Sequence, residues 1–259
     1  MTTTTKPSMT VFFPCYNEEE NVERTTLAAV RACKRLFTDW EVIIVNDGSK
    51  DRTGEIADRL AAEIPGVRAV HNNPNRGYGG ALQRGFAEAT KDFVFYTDGD
   101  GQFDFEEMET LLPMLETYDI ISPYRKNRQD PLHRRMNAKC WGILVDALFG
   151  LGLRDIDCAF KIYPRRFLQQ IDLFSEGALI DTEMLARARK LGYSIGQIGV
   201  THYPRTAGEQ TGANLRVIVR AFRELFTLHS VIRANPGRAA AAATPATASP
   251  GRTRSVTTA

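Results

Sequence analysis

The sequence predicts an α/β fold, a mostly parallel, twisted sheet with helices on both faces. Three observations lead there. Short β-branched or aromatic runs alternate with stretches of helical spacing through the first half of the chain. Of 259 residues, 43% are apolar and 25% charged, which suits one substantial soluble core. Acidic, polar and glycine residues collect wherever a strand ends, the edge at which such sheets bind ligands.

The elements follow in order. Met9–Pro14 is a short buried strand stopped by its proline. Glu19–Phe37 has helical spacing, with Val22, Leu27, Val30, Cys33 and Leu36 on one face. Glu41–Asn46 is a β-branched second strand, and Asp51–Ile64 a helix carrying Ile56, Leu60 and Ile64 at intervals of four. Val67–His71 is a third strand, Gly77–Thr90 a helix after a glycine-rich turn, and Phe93–Thr97 a fourth strand. Asp104–Thr117 is a further helix and Tyr118–Ser122 a fifth strand. Later helices are expected over 180–191 and 213–233.

The folded part spans 9–233, divided into 9–122 and 123–233. The Thr-rich residues 1–8 and the Ala/Thr/Pro/Ser-rich residues 234–259 are expected to be disordered. A net charge of +2 gives no case for nucleic acid. Cys15, Cys33, Cys140 and Cys158 show no CxxC spacing and are expected to be reduced, as in the cytoplasm. No run reaches the roughly 18 apolar residues of a membrane span. Any membrane contact is therefore expected from the cytoplasmic side alone.

Four strand exits carry candidate chemistry, the first being Pro14-Cys15-Tyr16-Asn17-Glu18 after the first strand. Asp98-Gly99-Asp100 follows the fourth strand, and two carboxylates separated by one small residue can share a Mg²⁺ or Mn²⁺ ion. Gln102 can add a carbonyl oxygen. The same residues also fit a polar turn with Asp104 as the cap of the next helix. Asp47 follows the second strand, where a carboxylate can accept from a base or ribose or simply close a turn capped by Asp51. Gly77-Tyr78-Gly79-Gly80 opens a helix and suits either an anion or close helix packing.

Read together, Pro14-Cys15-Tyr16-Asn17-Glu18, Val45-Asn46-Asp47-Gly48-Ser49-Lys50-Asp51-Arg52-Thr53, Asn75-Arg76-Gly77 and Asp98-Gly99-Asp100-Gly101-Gln102 resemble the inverting glycosyltransferases of family 2, which have the GT-A fold. Three later segments resemble the polyprenyl-phosphate sugar synthases within it, of which dolichyl-phosphate mannose synthase is an example. These are Ser122-Pro123-Tyr124-Arg125, Asp155-Ile156-Asp157-Cys158-Ala159-Phe160-Lys161 and His202-Tyr203-Pro204-Arg205-Thr206-Ala207-Gly208. Pro123 and Ala159 depart from the family pattern.

The resemblance implies that Pro14, Tyr16, Glu18, Asp47 and Asp98 bind the nucleotide of a UDP- or GDP-sugar. Asp98, Asp100 and Gln102 would surround a Mg²⁺ or Mn²⁺ ion and the donor diphosphate. Arg125, Arg134, Arg135 and Arg205 would hold the phosphate of a polyprenyl acceptor. A phosphate acceptor is already ionised near neutral pH and needs no protein base. A hydroxyl acceptor needs one, and Asp155, Asp157, Asp181 and Glu183 are the candidates. The three functions to be separated are transfer to a polyprenyl phosphate, transfer to a hydroxyl, and nucleotide-sugar binding without turnover. A nucleotidyltransferase is a fourth.

Asp157 has a second reading as the ion-pair partner of Arg154 or Lys161, and Glu183 as a helix-surface residue. The 213–233 helix sets Leu215, Ile218, Phe222, Leu225, Phe226 and Ile232 on one stripe, with Arg216, Arg220 and Arg223 on another face. Membrane contact, packing on the domain and dimerisation all fit that pattern.

Overall fold

The computed structural model describes residues 7–126, 132–204 and 215–237, the side chains of 132–140 and 215–223 excepted. Of the candidate acceptor residues, Arg205 lies outside the described residues, and so do the side chains of Arg134 and Arg135. The side chains of Arg216, Arg220 and Arg223 also lie outside them, as do residues 1–6 and 238–259.

The first half alternates as the periodicity predicts: β1 Met9–Cys15, α1 Val22–Leu36, β2 Trp40–Asn46, α2 Thr53–Glu63, β3 Val67–His71, α3 Gly77–Glu88 and β4 Phe93–Thr97. It continues with the four-residue α4 Met108–Leu111, then β5 Ile120–Ile121, β6 Tyr124–Lys126, α5 Leu132–Phe149, β7 Phe160–Pro164 and α6 Arg165–Leu168. The last elements are α7 Ile180–Lys190, β8 Ile195–Gly196, β9 Gly199–Thr201 and α8 Leu215–Ala234.

Among the described residues the main sheet runs β3-β2-β1-β4-β7-β5-β8, and β6 pairs with β9 beside it. The pairs β1–β2, β1–β4, β2–β3 and β5–β8 are parallel, while β7 is antiparallel to both β4 and β5. The antiparallel strand matters for function. It brings Phe160 opposite Thr97, so the residues before β7 meet those that follow β4. β5 and β4 both run opposite to β7, so Ser122–Arg125 leave the sheet at this same carboxyl edge.

Burial on both faces explains the near-continuous apolar strands. β1 and β2 are buried along almost their whole length. The Phe12 ring packs edge-on to Phe86 at 5.0 Å and stacks with Tyr96 at 5.8 Å. Such pairs add about 0.5–1.5 kcal/mol each beyond area burial. Gly85 of α3 makes the close approach to Phe12 feasible, because a Cβ there would fall 2.2 Å from the ring.

Two expectations are corrected. Leu27 is 43% exposed, because the buried stripe of α1 runs through Val22, Thr26, Ala29, Val30 and Cys33. Thr26 enters the core by donating its hydroxyl to the Val22 carbonyl at 2.7 Å. The helix expected over Asp104–Thr117 is broken into a 3₁₀ turn, α4 and a second 3₁₀ segment containing Pro113. Proline has no N–H and its ring clashes with the preceding turn, so a continuous α-helix cannot pass through it. Asp104 does cap the first turn, accepting from Glu106 N at 3.0 Å.

Candidate functional site

The exits of β1 and β2 are stitched together. Asn17 takes a left-handed φ of 55°, a region asparagine tolerates better than most residues. Its N–H donates to Ser49 Oγ at 3.0 Å, and its Oδ1 accepts from Lys50 N at 2.8 Å. Glu18 N donates to Thr53 Oγ1 at 2.8 Å. Pro14 and Glu18 are partly buried beside this seam, and Tyr16 is 40% exposed above it.

Asp47 is buried where β2 ends. Its N–H donates to the Cys15 carbonyl at 2.9 Å. Its Oδ1 accepts from Asn72 Nδ2 at 2.8 Å and from Arg76 N at 2.9 Å. Its Oδ2 accepts from no described residue. The turn and ligand readings of Asp47 are thus compatible: one oxygen fixes the turn and the other is left to accept. Gly48 has φ 67°, and a Cβ there would lie 2.9 Å from Asn75 N. The third-strand turn packs this close to the second only because position 48 has no side chain.

The β4 exit lies on the other side of β1 from β2. Two strand spacings separate them, about 10 Å. Gly99 sits against the same β1 exit, where a Cβ would meet Pro14 O at 2.6 Å and Cys15 Sγ at 2.8 Å. That contact brings Asp98 and Asp100 up beside Cys15, the residue whose carbonyl also holds Asp47. Asp98 accepts the Tyr78 hydroxyl at 3.0 Å. Burial, reinforced by the charge of Asp100, pushes the Asp98 carboxyl up to about 7. Asp100 Oδ1 accepts from Gln102 N at 3.1 Å. Gln102 Nε2 donates to the Tyr203 carbonyl at 2.9 Å, tying this loop to the segment that leads into position 205.

No group of three or more His, Cys, Asp or Glu side chains among the described residues is arranged to hold a metal alone. The donor set nevertheless fits a hard divalent ion. Burial first, and then the charge of Asp100, oppose ionisation of Asp98, a cost that a cation beside both carboxylates would offset. Mg²⁺ commonly takes one or two carboxylates and completes its shell with phosphate and water.

Between β6 and the loop that precedes β7, Arg125 and Asp155 are joined. Arg125 Nε and Nη2 donate to Asp155 at 2.7 and 2.8 Å, and Arg125 N adds a third bond at 3.2 Å. Asp157 pairs with neither Arg154 nor Lys161. Burial, with the charges of Asp181 and Asp155, pushes its carboxyl up to about 6. Solvent still reaches the residue, which places it at the surface of an acidic patch.

Lys161 is wholly buried and donates to Asp181 Oδ1 at 2.8 Å, Tyr96 Oη at 3.1 Å and the Cys158 carbonyl at 2.5 Å. The Tyr96 hydroxyl donates to the same Asp181 oxygen. Glu183 is a core residue, contrary to the helix-surface reading. It accepts from Phe174 N, Ser175 N and Arg187 Nε at 2.7 to 3.0 Å. A carboxylate held by three donors inside the protein is not placed to take a proton from an acceptor. Asp181 is likewise consumed by Lys161 and Tyr96.

Sequence reasoning missed this buried Tyr96–Lys161–Asp181 group. The one signal was a lysine following a phenylalanine in a short apolar run, FKIYP, and the partner on α7 lies 20 residues away. The glycine-rich turn resolves toward packing. Gly79 N donates to the Glu176 carbonyl at 3.0 Å, and a Cβ at Gly79 would overlap Ser175 and Glu176 backbone.

Comparison with known proteins identifies the fold and the family. The chain is 32% identical over 207 residues to glycosyltransferase AglD of Haloferax volcanii, covering 76% of this chain and 33% of that one. It is 29% identical over 216 residues to the undecaprenyl-phosphate 4-deoxy-4-formamido-L-arabinose transferase of Pseudomonas fluorescens, covering 83% and 62%. The chain thus spans between a third and just under two thirds of the length of these relatives.

Among solved structures it resembles glucosyl-3-phosphoglycerate synthase of Mycobacterium tuberculosis, crystallised with Mn²⁺, UDP-glucose and phosphoglyceric acid. The TM-score is 0.67 at 20% identity, covering 86% of this chain and 80% of that one. Mannosyl-3-phosphoglycerate synthase of Rubrobacter xylanophilus gives 0.66 at 16% identity, covering 88% and 74%. These likenesses establish the GT-A fold. The family model "Glycosyl transferase family 2" matches residues 10–172, and the chain belongs to that family.

Proposed function

We propose that the protein moves a sugar, with inversion, from a nucleoside-diphosphate donor to a polyprenyl phosphate. The observation that carries the reading is the convergence of Asp47, Asp98 and Asp100 on the exit of β1, within the span of one nucleoside diphosphate. Asp47 would accept from the base and Tyr16 would cover it, with Pro14 and Glu18 shaping the turn beneath. Asp98 and Asp100, with Gln102, would hold Mg²⁺ or Mn²⁺, which stabilises charge on the departing diphosphate when bound. The acidic patch itself repels that diphosphate, so this half of the site depends on a cation to work.

Support for the acceptor comes from the undecaprenyl-phosphate transferases among the relatives, and support for a UDP-sugar donor and Mn²⁺ from the fold neighbours. A phosphate monoester attacks as the ionised nucleophile. Arg125 reaches the carboxyl edge with Nη1 alone uncommitted to any described residue. The remaining phosphate contacts would fall to Arg134, Arg135 and Arg205. The described residues contain no helix long and apolar enough to cross a membrane. Ile143 on α5 and Phe226 on α8 are 62% and 57% exposed, and Phe149 packs on His229 where these helices meet. An apolar surface there would let the enzyme work peripherally on the cytoplasmic membrane face.

One observation favours a hydroxyl acceptor instead: the Asp157 carboxyl, raised to about 6 at the edge of the acidic patch, is suited to general-base work near neutral pH. The two readings separate in one assay. Purified protein is given Mn²⁺, a panel of UDP- and GDP-sugars, and either undecaprenyl phosphate or undecaprenol. Release of nucleoside diphosphate only with the lipid phosphate is expected. Equal turnover with the alcohol overturns the phosphate reading.

A further inference from the structure

The nucleotide-side turn is held by a relay that reaches back to the protein surface, and its hydrogen-bond directions can be deduced. Asn46 is the last residue of β2, and His71, the last residue of β3, is its register partner in the parallel pair. Asn46 Oδ1 accepts from Ser49 N at 3.1 Å. A backbone N–H can only donate, so this bond fixes which way the Asn46 amide faces. Its NH₂ group therefore points at His71 Nδ1, 2.9 Å away. An amide nitrogen can only donate as well, so Nδ1 must accept and carries no proton. The ring proton then sits on Nε2 and is donated to Asp58 Oδ1 at 2.9 Å.

We propose that His71 is a positioning residue for the donor nucleotide, acting as the neutral Nε2–H tautomer through Asn46. The relay Asp58–His71–Asn46 sets the amide that holds Ser49 N, and Ser49 Oγ in turn accepts from Asn17 N. It thereby fixes the turn that contains Asp47 against the turn that contains Tyr16. His71 also delivers the next residue, Asn72, whose Nδ2 holds Asp47 Oδ1. α2 packs directly on the relay: a Cβ at Gly54 would come 2.8 Å from Asn46 Nδ2, so the amide keeps its place only because position 54 has no side chain.

The inference rests on the nucleotide role proposed for Asp47, and the test separates the two. Binding of UDP and of GDP is measured by calorimetry with MnCl₂ present, for wild type, His71→Leu and His71→Asn, after circular dichroism has confirmed folding. Asparagine places an acceptor near the position of Nδ1, whereas leucine places none. His71→Leu is expected to bind the preferred nucleotide about tenfold more weakly, and His71→Asn to recover most of that loss. Long-range ¹H–¹⁵N spectra of the wild type are expected to show an unprotonated Nδ1 at neutral pH.

Wild-type affinity in folded His71→Leu, or a proton found on Nδ1, overturns the inference and leaves the functional reading standing. Failure of the wild type to bind either nucleotide overturns both.

Discussion

Arg125 and Asp155 share a nearly buried, two-pronged ion pair at the carboxyl edge of the sheet, at 2.7 and 2.8 Å. The pair ties β6 to the segment preceding β7, within the second half of the chain. Removing one partner strands the other charge away from water. Asp155→Ala is expected to lower the unfolding free energy by about 3–5 kcal/mol, read from urea denaturation. A loss under about 0.5 kcal/mol, the scale of an ordinary surface substitution, shows that the pair does not hold these segments together. The same geometry makes Asp155 a poor proton acceptor, since its ionised form is the one Arg125 stabilises.

Asp157 behaves in the opposite sense. Its folded carboxyl titrates near 6, above the ordinary aspartate range, chiefly because burial disfavours its charge. The native state therefore binds this proton more tightly than the unfolded chain. The stabilisation is complete below the unfolded pKa and is lost as pH rises through about 6. Asp157→Asn is thus expected to stabilise the protein by about 1 kcal/mol near pH 7, allowing for the solvent that reaches the residue, and to change nothing near pH 3. Denaturation at both pH values checks this.

The kinetic profile of the same variant bears on the acceptor. A phosphate monoester loses its second proton near pH 6 as well. With a lipid phosphate acceptor, Asp157→Asn is expected to keep the rise in kcat/KM through about pH 6. Loss of that limb together with a fall in kcat of about 10²-fold or more assigns Asp157 as a general base.

Much of this was legible in the chain before its structure. The β1–α1–β2–α2–β3–α3–β4 alternation follows from short buried β-branched or aromatic runs separated by stretches of period 3.6, and the strand-end rule pointed to Asp47, Asp98 and Asp100. The second half was less readable for physical reasons. β7 takes the central place beside β4 as an antiparallel strand, yet FKIYP carries a lysine that reads as a solvent position. Its charge is neutralised by Asp181 from α7, a long-range pairing that local periodicity does not encode. Glu183 was misread for the same cause: in nearly three helical turns of mixed letters, IDTEMLARAR, a glutamate looks exposed until Arg187 and the Phe174–Ser175 backbone are seen to satisfy it.

Glu41 offers a test of stability remote from the chemistry. It accepts from Thr10 Oγ1, Thr90 N and Thr90 Oγ1 at 2.7 to 2.8 Å and from Arg68 at 3.1 Å, at the amino edge of β2. Burial alone would raise its carboxyl, but the bonds from Thr90, Thr10 and Arg68 prevail and hold it below the usual range. Its contribution is present above the unfolded pKa and fades as pH falls through the lowered folded value. Glu41→Ala is expected to cost about 3 kcal/mol near neutral pH, and less in acid, with kcat of the folded fraction unchanged. Thermal unfolding as a function of pH, paired with activity at low temperature, measures both.

The acidic pair after β4 can be interrogated most directly through nucleotide affinity. UDP and GDP are titrated into wild type, Asp98→Asn and Asp100→Asn, each with and without MnCl₂. Manganese is expected to tighten nucleoside diphosphate binding to the wild type by about tenfold or more, and to tighten it little in either variant. Equal manganese enhancement in Asp100→Asn, or no enhancement in the wild type, would mean that Asp98 and Asp100 do not hold the cation that steadies the leaving diphosphate.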